Sequence, residues 1–218
     1  VTIDDTIKEI QQITTRMIEV GLSIDEKWPS QKGSRISWEG QTDISSSLKN
    51  IPYEEKYKIV EKERNYNFRM IDGALVQFMY EFDATGKDLI AHRLAFFPSP
   101  HLERYDDLPE RYEEDFSYDS EFHDMLEKNI VAFPVRFDFS KHFVAVEHPY
   151  SHVTFGEYQF CRIPASSPVT PSLFINFLLR NFYNCAIRVK GDIFPQPAFR
   201  FPLTIVEVEQ KIIHFNYN

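Results

Sequence analysis

Residues 68–97 read FRMIDGALVQFMYEFDATGKDLIAHRLAFF, and three runs within them, Phe68–Ile71, Leu75–Phe82 and Leu89–Phe97, are dominated by strand-forming aromatic and aliphatic residues. Asp72-Gly73 separates the first pair and Ala84-Thr85-Gly86-Lys87 the second. Links this short join antiparallel neighbours, because a parallel crossover needs about a dozen residues or more. An antiparallel meander is therefore expected at the centre of the fold.

Working upstream, Ile3, Ile7, Ile10, Ile13, Met17 and Val20 recur at three- or four-residue steps and Gly21 follows, the pattern of an amphipathic helix over residues 3–21. Its apolar face packs either on the rest of the domain or on a partner or second copy. Pro29 to Pro52 is polar, and within it only Ile36 and Trp38 alternate like a short edge strand. A second helix is expected from about Tyr53 to Arg64, with Pro52 and Glu54-Glu55 placed to suit a helix N-terminus.

Downstream, Val131–Phe139 and Phe143–His148 read as strands joined by Ser140-Lys141-His142, and His152–Phe160 as another, for about six strands in all. Thr170 is a plausible helix cap with Pro171 in the first turn, and PSLFINFLLRNFY is apolar on almost every side. The expected fold is α+β: an antiparallel sheet of about six strands packed on this buried C-terminal helix, with N-terminal helices. One domain spans 1–218, with a helical part at 1–66, the sheet and packed helix at 67–218, and an acidic insertion at 98–127.

The chain has 218 residues, enough for a core without staples, and its 20 Phe and 11 Tyr make aromatic packing the main resource of that core. Only Cys161 and Cys185 occur, and no arginine- or leucine-rich leader precedes the first helix; a disulfide framework and secretion are not expected, and the cytoplasm is. No apolar run approaches the roughly 20 residues of a membrane helix. The net charge of −9 is uneven: residues 1–131 hold 27 acidic against 16 basic side chains, whereas 132–218 hold 6 against 8. The diffuse acidity disfavours nonspecific DNA binding by the whole molecule, yet leaves room for a local cationic pocket in the C-terminal part. Between Glu103 and Glu127 the acids are interleaved with Tyr105, Tyr112, Phe116, Tyr118 and Phe122. That stretch is either a solvated surface loop or a covering flap and partner surface. Residues 3–20 and 103–127 are thus the two candidate partner surfaces, and a homodimer is compatible with either.

Chemistry concentrates between residues 148 and 183, HPYSHVTFGEYQFCRIPASSPVTPSLFINFLLRNFY, where His148, His152, Arg162, Arg180 and Tyr183 lie close to apolar segments. His148 and His152 are four apart and share a face in a helix or a strand, with Pro149 favouring the extended choice. Two imidazoles can act as general acid and general base in metal-free phosphodiester cleavage, with Arg162 or Arg180 steadying the phosphate. The same pair could hold a metal with Asp138 or Glu157 as third ligand, or simply tie loops to the backbone. No GxGxxG, Walker, HExxH, CxxC or GxSxG pattern is present, so a nucleotide-hydrolysing motor and a serine-elbow hydrolase are not expected.

The run CRIPASSPVTPSLFINFLLRNFYN, with HPYSHVTFGEY before it, resembles the most recognisable stretch of the bacterial domain-of-unknown-function family DUF2290. The resemblance spans most of the chain and is sharpest from Cys161 to Asn184. It implies a bacterial cytoplasmic protein and the company of multi-gene defence or mobile-element loci, and brings no activity or site residues with it. Two functions follow as expectations: an effector acting on phosphodiesters or nucleic acid at the His/Arg pocket, or a non-catalytic interaction subunit of a complex.

Overall fold

The computed structural model describes residues 1–41, 51–100, 132–158, 160–183 and 199–217. Helix α1 covers Ile3–Glu19. Thr2 and Asp5 start it with a reciprocal capping box, the Thr2 hydroxyl accepting from the Asp5 amide and the Asp5 carboxylate from the Thr2 amide. There follow β1 (Ser23–Glu26), β2 (Pro29–Lys32), β3 (Arg35–Trp38), α2 (Tyr53–Lys62), β4 (Phe68–Met70), β5 (Leu75–Phe82), β6 (Leu89–Phe97), β7 (Val135–Ser140), β8 (Ser151–Phe155) and β9 (Ile163–Pro164). The remaining elements are α3 (Pro171–Phe182) and the single-turn α4 (Glu207–Gln210). Every strand pair among the described residues is antiparallel, and the main path of the sheet runs β1-β4-β5-β6-β7-β8-β9, with β3 also paired to β5 and β2 to β3.

The meander β4-β5-β6 and the Thr170 cap of α3, whose hydroxyl accepts from the Leu173 amide, match the expectation. The strand count does not: the described residues hold nine strands rather than six. Three of them lie within residues 1–66, and β1 and β2, SIDE and PSQK, are too short and polar to show alternation. Phe143–His148 is not a strand either. There Val144 and His148 exchange both backbone hydrogen bonds, 3.0 and 2.7 Å, which closes a tight loop and forces Val146 to φ +68°. The strand expected to run on to Phe160 ends at Phe155, because Gly156 turns the chain at φ +66°.

The sheet has two different faces. One carries Val76, Phe78 and Tyr80 of β5, Leu94 and Phe96 of β6, Phe137 of β7 and Val153 of β8 into a single core with Ile10, Ile13 and Met17 of α1 and Phe174, Ile175, Leu178 and Leu179 of α3. Phe174 stands edge-on to both Phe78 and Phe137 at 5.7 Å, the arrangement ring quadrupoles favour. The apolar face of α1 is thus buried within the chain, and residues 3–20 present chiefly their polar face outward. Residues 103–127 lie outside the described residues. Helix α2 crosses one end of the opposite face, packing Tyr57 and Val60 against Leu75, Ala95 and Phe97. Among the described residues nothing covers the rest of that face. Among the described residues no helix is long and apolar enough to cross a membrane.

Candidate functional site

The open part of the second face is a cleft of about 1130 Å³. Alternation along β5 to β8 decides what lines it: the side chains next to those of the core face must point the other way. Strand register then sets them in rows. Met79, Arg93, Asp138 and His152 stand opposite one another on four successive strands, and Gln77, Ala95, Arg136 and Thr154 form the adjacent row. Ala91, two residues before Arg93 in β6, has little bulk and leaves the cleft its depth.

Asp138 is the buried anchor of this surface. Its Oδ1 accepts from Arg93 Nε at 3.0 Å and its Oδ2 from Arg136 Nε at 2.8 Å. Burial alone would raise its pKa, but Arg136 and Arg93, with His152 beside them, overcome that and hold it at about 2. The carboxylate is therefore ionised and fixes two guanidinium groups to the cleft floor. Arg162 joins the cleft from the chain before β9, and Arg35 and Lys56 from β3 and α2. Among the described residues, Glu81 and Glu157 are the other lining acids, paired with Arg35 and Lys56 respectively. The described lining thus carries a cationic excess in a chain whose net charge is −9.

His152, in β8, is only 4% exposed, and its ring lies 5.1 Å from that of His148 at 70°. The Nδ1 of His152 meets the Pro149 carbonyl at 3.1 Å and the Nδ1 of His148 meets the His142 carbonyl at 3.1 Å. A carbonyl can only accept, so in each ring Nδ1 carries the proton and Nε2 is the basic nitrogen. Burial lowers the pKa of His152; Asp138, whose Oδ2 is 3.9 Å from Nε2, and the Pro149 bond partly restore it, while His148 and Arg162 oppose that. His152 is thus held neutral, close to a carboxylate whose charge favours the imidazolium once His152 takes up a proton.

The loop that brings His148 here is fastened at several points. Phe143 and Tyr150 stack with ring centroids 4.1 Å apart, Arg162 Nη1 donates to the Glu147 carbonyl at 3.3 Å, and the Val146 amide donates to Glu209 Oε1 at 3.1 Å. Glu209 is itself buried and also accepts from the Val206 amide that opens α4. Beside His152 in β8, Thr154 is 5% exposed, and its hydroxyl has no hydrogen-bond partner among the described residues. A buried hydroxyl without a partner is costly unless something else supplies one.

Of the side chains expected in the pocket, His148, His152 and Arg162 do line one cleft. Arg180 and Tyr183 do not, because α3 lies against the other face of the sheet. Arg180 is exposed in the last turn of α3, while Tyr183 is buried against Phe96 and donates to both oxygens of Asp72 at 2.9 Å. That bond anchors the β4–β5 turn. The metal alternative finds no support in the geometry either: among the described residues no group of three or more His, Cys, Asp or Glu could hold an ion. Asp138 gives its oxygens to arginines and Glu157 pairs with Lys56.

Arg93, Arg136, Thr154 and Lys56 were not anticipated. In β7 the signal was present, since Val135-Arg136-Phe137-Asp138-Phe139-Ser140 alternates strictly and so puts Arg136 and Asp138 together, opposite the phenylalanines. His92, by contrast, belongs to the core face, where its Nε2 accepts from the Val169 amide at 2.9 Å and burial pushes its pKa down to about 3.

Residues 22–217 match the model of a family described as uncharacterized conserved protein, DUF2290. No curated protein and no solved structure matches the chain.

Proposed function

The chain belongs to the DUF2290 family, and because the matched residues take in the whole cleft, we propose that the cleft is the working part of the protein: a site that binds a phosphodiester and cleaves it by acid–base catalysis between His152 and His148. The observation that carries this reading is the pair of imidazoles, each with Nδ1 engaged by a main-chain carbonyl and Nε2 left basic, set among arginines. His152, kept neutral by burial, is the base; His148, nearer solvent, is the acid once its Nε2 has taken up a proton from water. His152 takes the proton of an attacking hydroxyl as its oxygen bonds to phosphorus. The bond from phosphorus to the leaving oxygen breaks, and His148 gives that oxygen a proton. Arg136 and Arg162 supply positive charge to the phosphoryl oxygens, and the Thr154 hydroxyl has a donor to offer them. The bacterial, cytoplasmic setting and the association with defence or mobile-element genes belong to the same proposal.

The test is cleavage of labelled RNA and DNA oligonucleotides by the purified protein across pH, with His148→Ala and His152→Ala in parallel. Each substitution is expected to lower the rate by about 10²- to 10⁴-fold while the fold persists. Full activity in both variants, or none in the parent protein at any pH, would overturn the reading.

A second reading, an interaction subunit, has its own observation. Val208, Ile212 and Ile213 around α4 are exposed apolar residues, as are Val144 and Val146 of the loop tied to α4 through Glu209. Exposed apolar clusters mark interfaces. Ile213→Asp should then abolish co-purification of a partner from the host and leave oligonucleotide cleavage unchanged.

A further inference from the structure

Resting on that reading of the cleft, we infer that its substrate is single-stranded RNA, with unpaired bases stacked on Tyr158 at the cleft mouth and on Phe160, two residues beyond it in the same turn. Tyr158 is 78% exposed and Phe160 is 80% exposed. They sit in one turn, closed by the Cys161 amide donating to the Tyr158 carbonyl at 3.2 Å, immediately after Gly156 and Glu157, which line the cleft with Tyr158. The position of Tyr158 is defined: a Cβ built on Gly156 would lie 3.5 Å from its ring and 3.9 Å from Phe133. Phe133 is itself partly exposed and stands edge-on to Phe155. An aromatic rim thus adjoins a cationic floor.

Each half of this surface recognises something common to every unpaired strand: the floor takes phosphates, and the exposed rings take base faces, which a duplex hides in its stack. The 2′-hydroxyl makes RNA the better match, because it is a nucleophile already tethered beside its phosphorus and a neutral imidazole can deprotonate it. The 2′-oxygen bonds to phosphorus and the P–O5′ bond breaks. One proton passes from the 2′-hydroxyl to His152, and another from His148 to the departing 5′-oxygen. The products are a 2′,3′-cyclic phosphate and a 5′-hydroxyl.

Binding and cleavage are separable in the test. Fluorescence anisotropy with a short 2′-O-methyl oligouridylate, which lacks the nucleophile, reads binding alone. The parent protein should bind it more tightly than an RNA duplex of the same length, and Tyr158→Ala and Phe160→Ala should each weaken it by about 5- to 150-fold, the usual range for a lost stacking platform. Both side chains are exposed, so the variants should keep the parent's melting behaviour. Unchanged binding in both variants, or equal affinity for the duplex, would overturn the inference. An all-ribose strand and its deoxy counterpart then report chemistry: only the former should be cut, and cutting both equally would remove the RNA assignment. Tyr158- and Phe160-dependent binding without cleavage would sink the acid–base reading and leave the strand-binding surface standing. Cleavage that survives both substitutions would do the reverse.

Discussion

Replacing Asp138 with Asn keeps the side chain's size and removes the negative charge to which both Arg93 and Arg136 donate. Its folded pKa is about 2, against about 3.9 in an unfolded chain, so at neutral pH its ionisation contributes on the order of 2–3 kcal/mol to stability. The sign is that of a depressed carboxylate: the contribution is complete above about pH 4 and is lost as pH falls through about 2. The arginine side chains are 43% and 39% exposed, so once unpaired they regain water, and the loss should stay below the ~3–5 kcal/mol of breaking a fully buried pair. Urea unfolding at about pH 7 should therefore place Asp138→Asn roughly 2–3 kcal/mol below the parent, with the gap closing as pH approaches 2. The cleft meanwhile gains one net positive charge, so the same variant should bind an RNA strand more tightly, most visibly at low salt. A stability gap that stayed constant down to low pH would refute the reasoning, since it would mean that packing and not charge is at stake. Weaker RNA binding would refute the assignment of Asp138 as a counter-charge within the cleft.

Thr154→Val removes a buried hydroxyl that has no partner among the described residues, so thermal melts should show it as stable as the parent or up to about 1 kcal/mol better, while RNA affinity falls about fivefold; unchanged affinity would take Thr154 out of the site. His92 has a folded pKa of about 3, depressed from about 6.5, so the parent should lose stability steadily as pH drops through that window. His92→Gln should flatten that slope in a series of melts, and an unaltered slope would assign it to other groups. Tyr183→Phe should cost about 1–3 kcal/mol by leaving the buried Asp72 short of a donor, with RNA cleavage unaffected because it acts on the far face of the sheet; a loss of cleavage would contradict that placement.

The legible parts of the chain were those where local chemistry and burial agree. The period of Ile10, Ile13 and Met17 announced α1, the Asp72-Gly73 turn the β4–β5 hairpin, and Thr170-Pro171 the start of α3. Strands β1 and β2 were hidden because exposed edge strands need no apolar alternation. His148 and His152 do meet, but not through shared strand parity, for His148 belongs to the loop before β8 and is carried over by the Val144–His148 bridge. Nearness in sequence misled for Arg180 and Tyr183, since between β9 and α3 the chain passes to the core side of the sheet. Arg93 and Asp138 are 45 residues apart, and their pairing follows from strand register, which no local spacing encodes.

The contact between Glu9 of α1 and Ser172 of α3, buried in the core, spans 163 residues. On a ribosome adding about 5–20 residues per second, that separation is roughly 10–30 s. For that interval α1 is complete but has no α3 to seal it, and its isoleucine face is open to chaperones or to neighbouring nascent chains. Helix α1 thus waits on a segment 163 residues later for part of its cover, so substitutions that weaken its docking should lower yield in the cell well before they lower the melting temperature of whatever protein survives.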